Sequence, residues 1–122
     1  MKNPYFDFFK KRSGQGDLDA KYELALIYEE EGESLNAFSL TCDLAQSNEE
    51  RKIRTGGHKN GVYWDGYKRV KGMPKAKHRL AYYYENGIGT EVDIEKAIFW
   101  YSLAFQDGYE NAKKDLERLK KL

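Results

Sequence analysis

Between Arg51 and Arg79 the chain sets ten basic residues around three aromatic ones, Tyr63, Trp64 and Tyr67. Cations neutralise carboxylates or phosphates, while aromatic rings fill protein pockets or stack on bases, so this pattern is a chemistry of binding. Arg54, His58, Tyr63, Trp64, Tyr67, Lys68 and Arg69 are the candidates here for contact with a partner. Two partner classes fit them. An acidic protein surface is the first; nucleic acid is the alternative, and the carboxylates Asp19, Glu23, Glu29, Glu30, Glu31 and Glu33 would repel its phosphates.

Residues able to do covalent or metal chemistry are few. Cys42 is the single cysteine, so neither an intramolecular disulfide nor a cysteine-cluster metal site can form, and a reducing compartment is expected. Its neighbours Leu40, Leu44 and Ala45 place it on an apolar helix stripe, where a thiol acts as a small hydrophobe rather than a nucleophile. His58 and His78 stand twenty residues apart without clustered carboxylate or thiolate partners. The run GGHKNG lacks the spacing of a phosphate-binding loop. No catalytic residue, metal or cofactor is therefore expected, and the chain reads as a non-enzyme.

The elements that must position these residues announce themselves by repetition. Gly16, Ala20 and Leu24 recur as Gly72, Ala76 and Leu80, and again as Gly108, Ala112 and Leu116. The last two copies are 36 residues apart, a period of two-helix solenoid units, whereas the first interval is 56. Within a unit, Ala76, Leu80, Tyr83 and Tyr84 make one helical stripe, helix A, with His78, Tyr82 and Glu85 facing away. The run NGIG closes it, and Thr90 or Asp93 can cap a second helix, B, whose apolar face runs from Ile94 to Phe105.

Both ends follow the same grammar. Residues 1–15 read as a capping helix B with Asn3 as its N-cap and Pro4 in its first turn, and residues 108–122 as a capping helix A. Between them lie a degenerate first repeat (16–47), an insertion (48–71) and a complete repeat (72–107). In the degenerate repeat Ser34 can cap a helix B in which Leu35, Phe38, Leu40, Cys42, Leu44 and Ala45 supply apolar surface.

The complete unit, GMPKAKHRLAYYYENGIGTEVDIEKAIFWYSLAF, resembles a Sel1-like repeat, a relative of the tetratricopeptide repeat. Ala76, Leu80, Tyr84, Gly87, Gly89, Asp93, Lys96, Ala97, Trp100, Tyr101, Ala104, Gly108 and Ala112 carry the likeness, which extends over the chain except residues 48–71. It implies an all-α fold: a short α-solenoid of antiparallel helix pairs, about six helices, acting as an adaptor for protein partners. Ala25 and Ala81 stand where the family usually has glycine, and the loop EEEGESLN lacks the paired glycines.

The insertion adds twenty-three residues when Ala45 is aligned with Ala104. NEERKIR is expected to prolong helix B until TGG stops it, and VYWDGYKRV to form a hairpin turning at Asp65 and Gly66, so that residues 55–71 are non-helical or hairpin-like. Such a segment either binds a partner or covers, with Val62, Tyr63 and Trp64, a gap left by the degenerate repeat.

Composition sets the remaining bounds. The chain of 122 residues suffices for one domain, and its net charge of +1 conceals blocks of +2 (1–17), −6 (18–47), +7 (48–79) and −2 (80–122). No apolar run reaches the length of a membrane span or signal core, so a cytoplasmic location is expected. Tyr22, His78 and Tyr82, on the outer face of helix A, complete the set of candidate partner contacts. Among small bacterial proteins that the sequence resembles, some are immunity proteins that neutralise a toxin. A toxin domain with an acidic site is therefore one expected partner.

Overall fold

The computed structural model describes residues 3–120 apart from 47, 60 and 61, and of residues 48–71 the backbone pairing alone. Its elements are α1 (Phe6–Gly14), α2 (Leu18–Glu30), α3 (Ser34–Gln46), β1 (Asn48–Lys59), β2 (Val62–Lys71), α4 (Pro74–Asn86), α5 (Ile94–Gln106) and α6 (Ala112–Lys120). Each helix packs on the next helix in sequence, which is the connectivity of an α-solenoid.

Local signals account for where the helices start and stop. Asp17 caps α2 by accepting from the Ala20 N–H at 3.1 Å, and Asp93 caps α5 by accepting from the Lys96 N–H at 3.1 Å. Pro74 opens α4, where its missing N–H costs nothing, and Gly87 closes it in the left-handed conformation with φ 69°. Alanines then set the packing distance. Ala25, Ala37, Ala76, Ala81, Ala97, Ala104 and Ala112 are fully buried, so neighbouring helices approach closely before Leu44, Met73, Leu80, Tyr83 and Tyr101 fill the flanks. Tyr84 and Trp100 pack against both core clusters, one around Leu44, Met73 and Leu80 and the other around Tyr101 and Leu116, and join them.

The junctions from one unit to the next share a geometry. The Asp17 N–H donates to the Arg12 carbonyl at 3.1 Å, and the Tyr109 N–H to the Ala104 carbonyl at 2.9 Å, each across a glycine with positive φ (Gly16, 91°; Gly108, 97°). At the middle junction the Met73 N–H donates to the Leu44 carbonyl at 2.9 Å beside Gly72, φ 87°. The same bond is thus made although its ends are twenty-nine residues apart rather than five. The twenty-four additional residues are 48–71, the two strands and the two residues that join them. A hairpin has been spliced into the solenoid at a junction that keeps this bond, while the second bond of the other two junctions, from the Gly16 N–H to Ser13 and from the Gly108 N–H to Phe105, has no counterpart at Gly72 among the described residues.

Several expectations are corrected here. The strands do not turn at Asp65 and Gly66: these lie within β2, opposite Arg54 and Ile53, and the strands are joined through residues 60–61. The twenty-three extra residues become twenty-four because Leu44, not Ala45, stands where Ala104 does. NEERKIR does not prolong α3; β1 begins at Asn48, because pairing with β2 outweighs the helix propensity of its Glu, Arg and Lys residues. Thr55, Gly56 and Gly57 do not end a helix but form the irregularity between Arg54↔Asp65 and His58↔Tyr63, three residues opposite one. Asn3 does not cap α1, whose N-cap is Tyr5; its side chain instead accepts from the Tyr5 N–H at 2.8 Å. The expectation that Val62, Tyr63 and Trp64 cover a gap lies outside the described residues.

Candidate functional site

The first surface is the hairpin. Its register pairs Glu50 with Arg69, Arg51 with Lys68, Lys52 with Tyr67, Arg54 with Asp65 and His58 with Tyr63. All seven of its predicted contact residues therefore stand on one two-stranded ladder, Arg54 and His58 on β1 and Tyr63, Trp64, Tyr67, Lys68 and Arg69 on β2. Seven basic and three acidic residues occupy positions 48–71, for a net +4. The two strands pair with each other in antiparallel register.

The second surface is formed where the A helices α2, α4 and α6 meet. Arg79 of α4 donates to Glu29 of α2 through Nε (3.0 Å) and Nη2 (2.5 Å), and the buried Tyr83 hydroxyl donates to the same carboxylate at 3.0 Å. Burial, and then the Glu29 charge, push the Tyr83 hydroxyl up to about 12. Toward α6, His78 Nε2 lies 2.7 Å from Asp115, and Arg118 binds both oxygens of Glu85, which also accepts from the Tyr101 hydroxyl at 2.9 Å. The hydrogen bond from Arg118 holds the Glu85 carboxyl below its usual range, and burial raises the Tyr101 hydroxyl. A helix face that looks merely solvated in sequence is laced by two groups of polar contacts, Arg79–Glu29–Tyr83 toward α2 and His78–Asp115–Arg118–Glu85–Tyr101 toward α6.

The three helix candidates sit in this network. Tyr22 is half-buried, with the Lys75 ammonium 4.6 Å from its ring centre and paired to Asp19 at 3.3 Å. Tyr82 carries the Arg79 guanidinium 4.7 Å from its ring centre. His78 packs on Tyr101 and Tyr109, with ring centres 5.2 and 5.0 Å away, and so serves the α4–α6 joint. Tyr22 and Tyr82 flank the α2–α4 side of α4, while His78 belongs to the other side. Cys42 is half-buried in α3, and its burial pushes the thiol up to about 11, the behaviour of an inert packing residue.

Sequence reasoning did not single out the groove along α2. Tyr5 and Phe9 from α1 and its cap form one wall, Leu26 and Ile27 the floor, and Glu23 and Glu30 the rim, around a volume of about 200 Å³. Leu26 and Glu30 continue into a second hollow of about 310 Å³ lined also by Tyr22, Glu29 and Arg79. The seven-residue spacing of Glu23 and Glu30 was the available signal, since it puts both on one helical stripe.

Two antiparallel helices joined through the Gly87–Gly89 turn, capped by Asp93 and followed by Gly108, now match a known family segment: the Sel1 repeat family covers residues 74–109. Residues 74–109 are similar to a Sel1 repeat. The matched segment is α4 and α5 with the turn into α6, and Sel1 repeats in general mediate protein–protein interaction. Over 62 residues, 48% of its length, the chain is 37% identical to chitin synthase regulatory factor 3 of Schizosaccharomyces pombe. It spans 7% of that protein's length. No solved structure matches the chain significantly. Gly89, one of the paired Sel1-repeat glycines, has φ 72°, and a Cβ there would lie 2.4 Å from the Ser34 carbonyl oxygen. Glycine therefore lets the α4–α5 turn pack onto the start of α3. Among the described residues, no helix is long and apolar enough to cross a membrane.

Proposed function

We propose that this protein is a non-catalytic binder of one dedicated protein partner, and that the basic hairpin 48–71 is its recognition element. The observation that carries this is the splice. Twenty-four residues enter between Leu44 and Met73 while the hydrogen bond of an uninterrupted junction is kept, so the solenoid's own stability gives no reason for them. Ladder positions with a net +4 and three aromatics suit a partner surface rich in carboxylates. Tyr22 and Tyr82 on the helix A face contribute a second contact area, and His78 fixes the α4–α6 joint beneath it.

The partner chemistry that fits best is an acidic site on a toxin domain in the cytoplasm, which would make the protein an immunity factor. The matched Schizosaccharomyces pombe protein is named a regulatory factor of chitin synthase, which accords with action on another protein. Deleting residues 48–71 would leave Leu44 and Met73 five residues apart, the spacing at the other two junctions. The test is capture from native lysate by the full chain and by this deletion variant, both shown to be helical by circular dichroism. One protein retained by the full chain and lost with the deletion is expected. Retention by both would move the site to the helix A face, and salt-sensitive recovery of RNA or DNA would establish the nucleic-acid alternative.

A further inference from the structure

The groove along α2 carries a second specificity, opposite in sign to that of the hairpin. We infer that it binds an extended peptide segment with two basic side chains three residues apart.

The protein itself shows how such a side chain is held. Lys75 lies 4.6 Å from the centre of the Tyr22 ring and pairs with Asp19; Arg79 lies 4.7 Å from that of Tyr82 and pairs with Glu29. Each is an aromatic ring and a carboxylate closing on one cation, a combination in which both attractions act on the same charge. The groove presents the same two groups again, Tyr5 and Phe9 beside Glu23 and Glu30. Among the described residues, neither Glu23 nor Glu30 has a cationic partner, and the nearby cations of α1 are turned elsewhere, Lys10 over Phe6 and Arg12 over Phe8. Tyr5 is 62% exposed and both carboxylates are exposed, so the groups are open to a ligand.

Spacing selects the ligand's form. Glu23 and Glu30 stand seven residues apart on one helix, a rise of about 10.5 Å at 1.5 Å per residue. A polyproline II segment returns a side chain to the same face every third residue after about 9.3 Å. A β-strand would send the third residue to the opposite face. Two basic residues separated by two others in a polyproline II segment thus reach both carboxylates, while the intervening residues lie on Leu26 and Ile27.

The test is a titration of the isotopically labelled full chain with acetyl-Arg-Pro-Pro-Arg-amide at low ionic strength, followed by backbone amide shifts. Saturable shifts at Tyr5, Phe9, Glu23 and Glu30 are expected. The affinity should exceed that of acetyl-Pro-Arg-Arg-Pro-amide, and fall about tenfold in the Glu23→Gln/Glu30→Gln variant, since two exposed charge pairs are lost. Equal binding of the two peptides, no binding, shifts elsewhere on the molecule, or an undiminished affinity in the double variant would overturn the inference. So would a concentration-dependent doubling of mass that the double variant abolishes, because a second copy would then be the occupant. Should the double variant fail to fold, the comparison of the two peptides on the wild-type chain still decides.

Discussion

Replacing Gly72 by alanine should be far more damaging than the same change at Gly16 or Gly108, although all three glycines share a backbone conformation, with φ of 87°, 91° and 97°. Alanine at such an angle costs about 1–2 kcal/mol through its own Cβ. At Gly16 and Gly108 nothing lies within 4 Å of the added carbon, so that is the whole effect. At Gly72 the carbon would sit 1.8 Å from the Ala45 carbonyl oxygen and 2.8 Å from Lys77 Cε. Ordinary carbon–oxygen contacts are about 3.3–3.6 Å, so the end of α3 and the start of α4 must separate by roughly 1.5 Å. That movement breaks the bond from the Met73 N–H to the Leu44 carbonyl, worth about 1 kcal/mol, and disturbs the packing of two fully buried side chains for about 1–3 more. Gly72→Ala should therefore cost about 4 kcal/mol and the other two about 1.5 each, a gap of roughly 10 °C in Tm. Urea unfolding followed by circular dichroism, on the three variants side by side, measures it. A Gly72→Ala protein no less stable than Gly16→Ala would refute the tight splice, and with it the reason for treating the hairpin as an addition to a junction that keeps the bond from Met73 to Leu44.

Glu29→Ala should destabilise by about 2–3 kcal/mol in the same assay, because it leaves the buried Tyr83 hydroxyl and a half-buried Arg79 without their acceptor; Glu30→Ala, on the exposed rim, should fall within about 0.5 kcal/mol of wild type. Tyr83 ionises near 10 in the unfolded chain and at about 12 in the fold, so its stabilising contribution is complete below pH 10 and should be lost as pH rises from 10 through 12. Tyr83→Phe should flatten that alkaline limb of a stability profile, and an unchanged slope would contradict the placement of this hydroxyl. Cys42, with its thiol raised from 9.0 to about 11, should be alkylated by iodoacetamide about 100-fold more slowly than a free thiol at neutral pH; rapid labelling of the native protein would show that α3 does not shelter it.

The solenoid was legible because its signals are local and periodic. Asp93 reads as a cap and is one, Gly87 closes α4, and the alanines of the stripes are those buried between helices. The hairpin was half legible. Two Gly-containing dipeptides, Asn60-Gly61 and Asp65-Gly66, each signal a turn, and only the pairing of strands of 12 and 10 residues selects between them. NEERKIR is rich in helix formers, so its pairing partner rather than its own propensity decides its state. Least legible was the role of charge on the A helices. Glu29, Arg79, Glu85, Asp115 and Arg118 look like a solvated face until distant helices are brought side by side, since their partners lie as many as 50 residues away. The exposed ring of Phe8, aligned with the half-buried Trp100, shows the converse: α1 keeps the residue pattern of its unit but leaves at the surface a ring that α5 partly buries.

The central claim is that the hairpin carries recognition, and its most direct test is calorimetric titration of the captured partner into the full chain and into an Arg54→Glu/Lys68→Glu/Arg69→Glu variant of unchanged helicity. Affinity that drops at least tenfold in the variant, and that weakens with added salt in the wild type but hardly in the variant, is the predicted result. Equal affinities with equal salt dependence would contradict it and leave the hairpin without a part in binding.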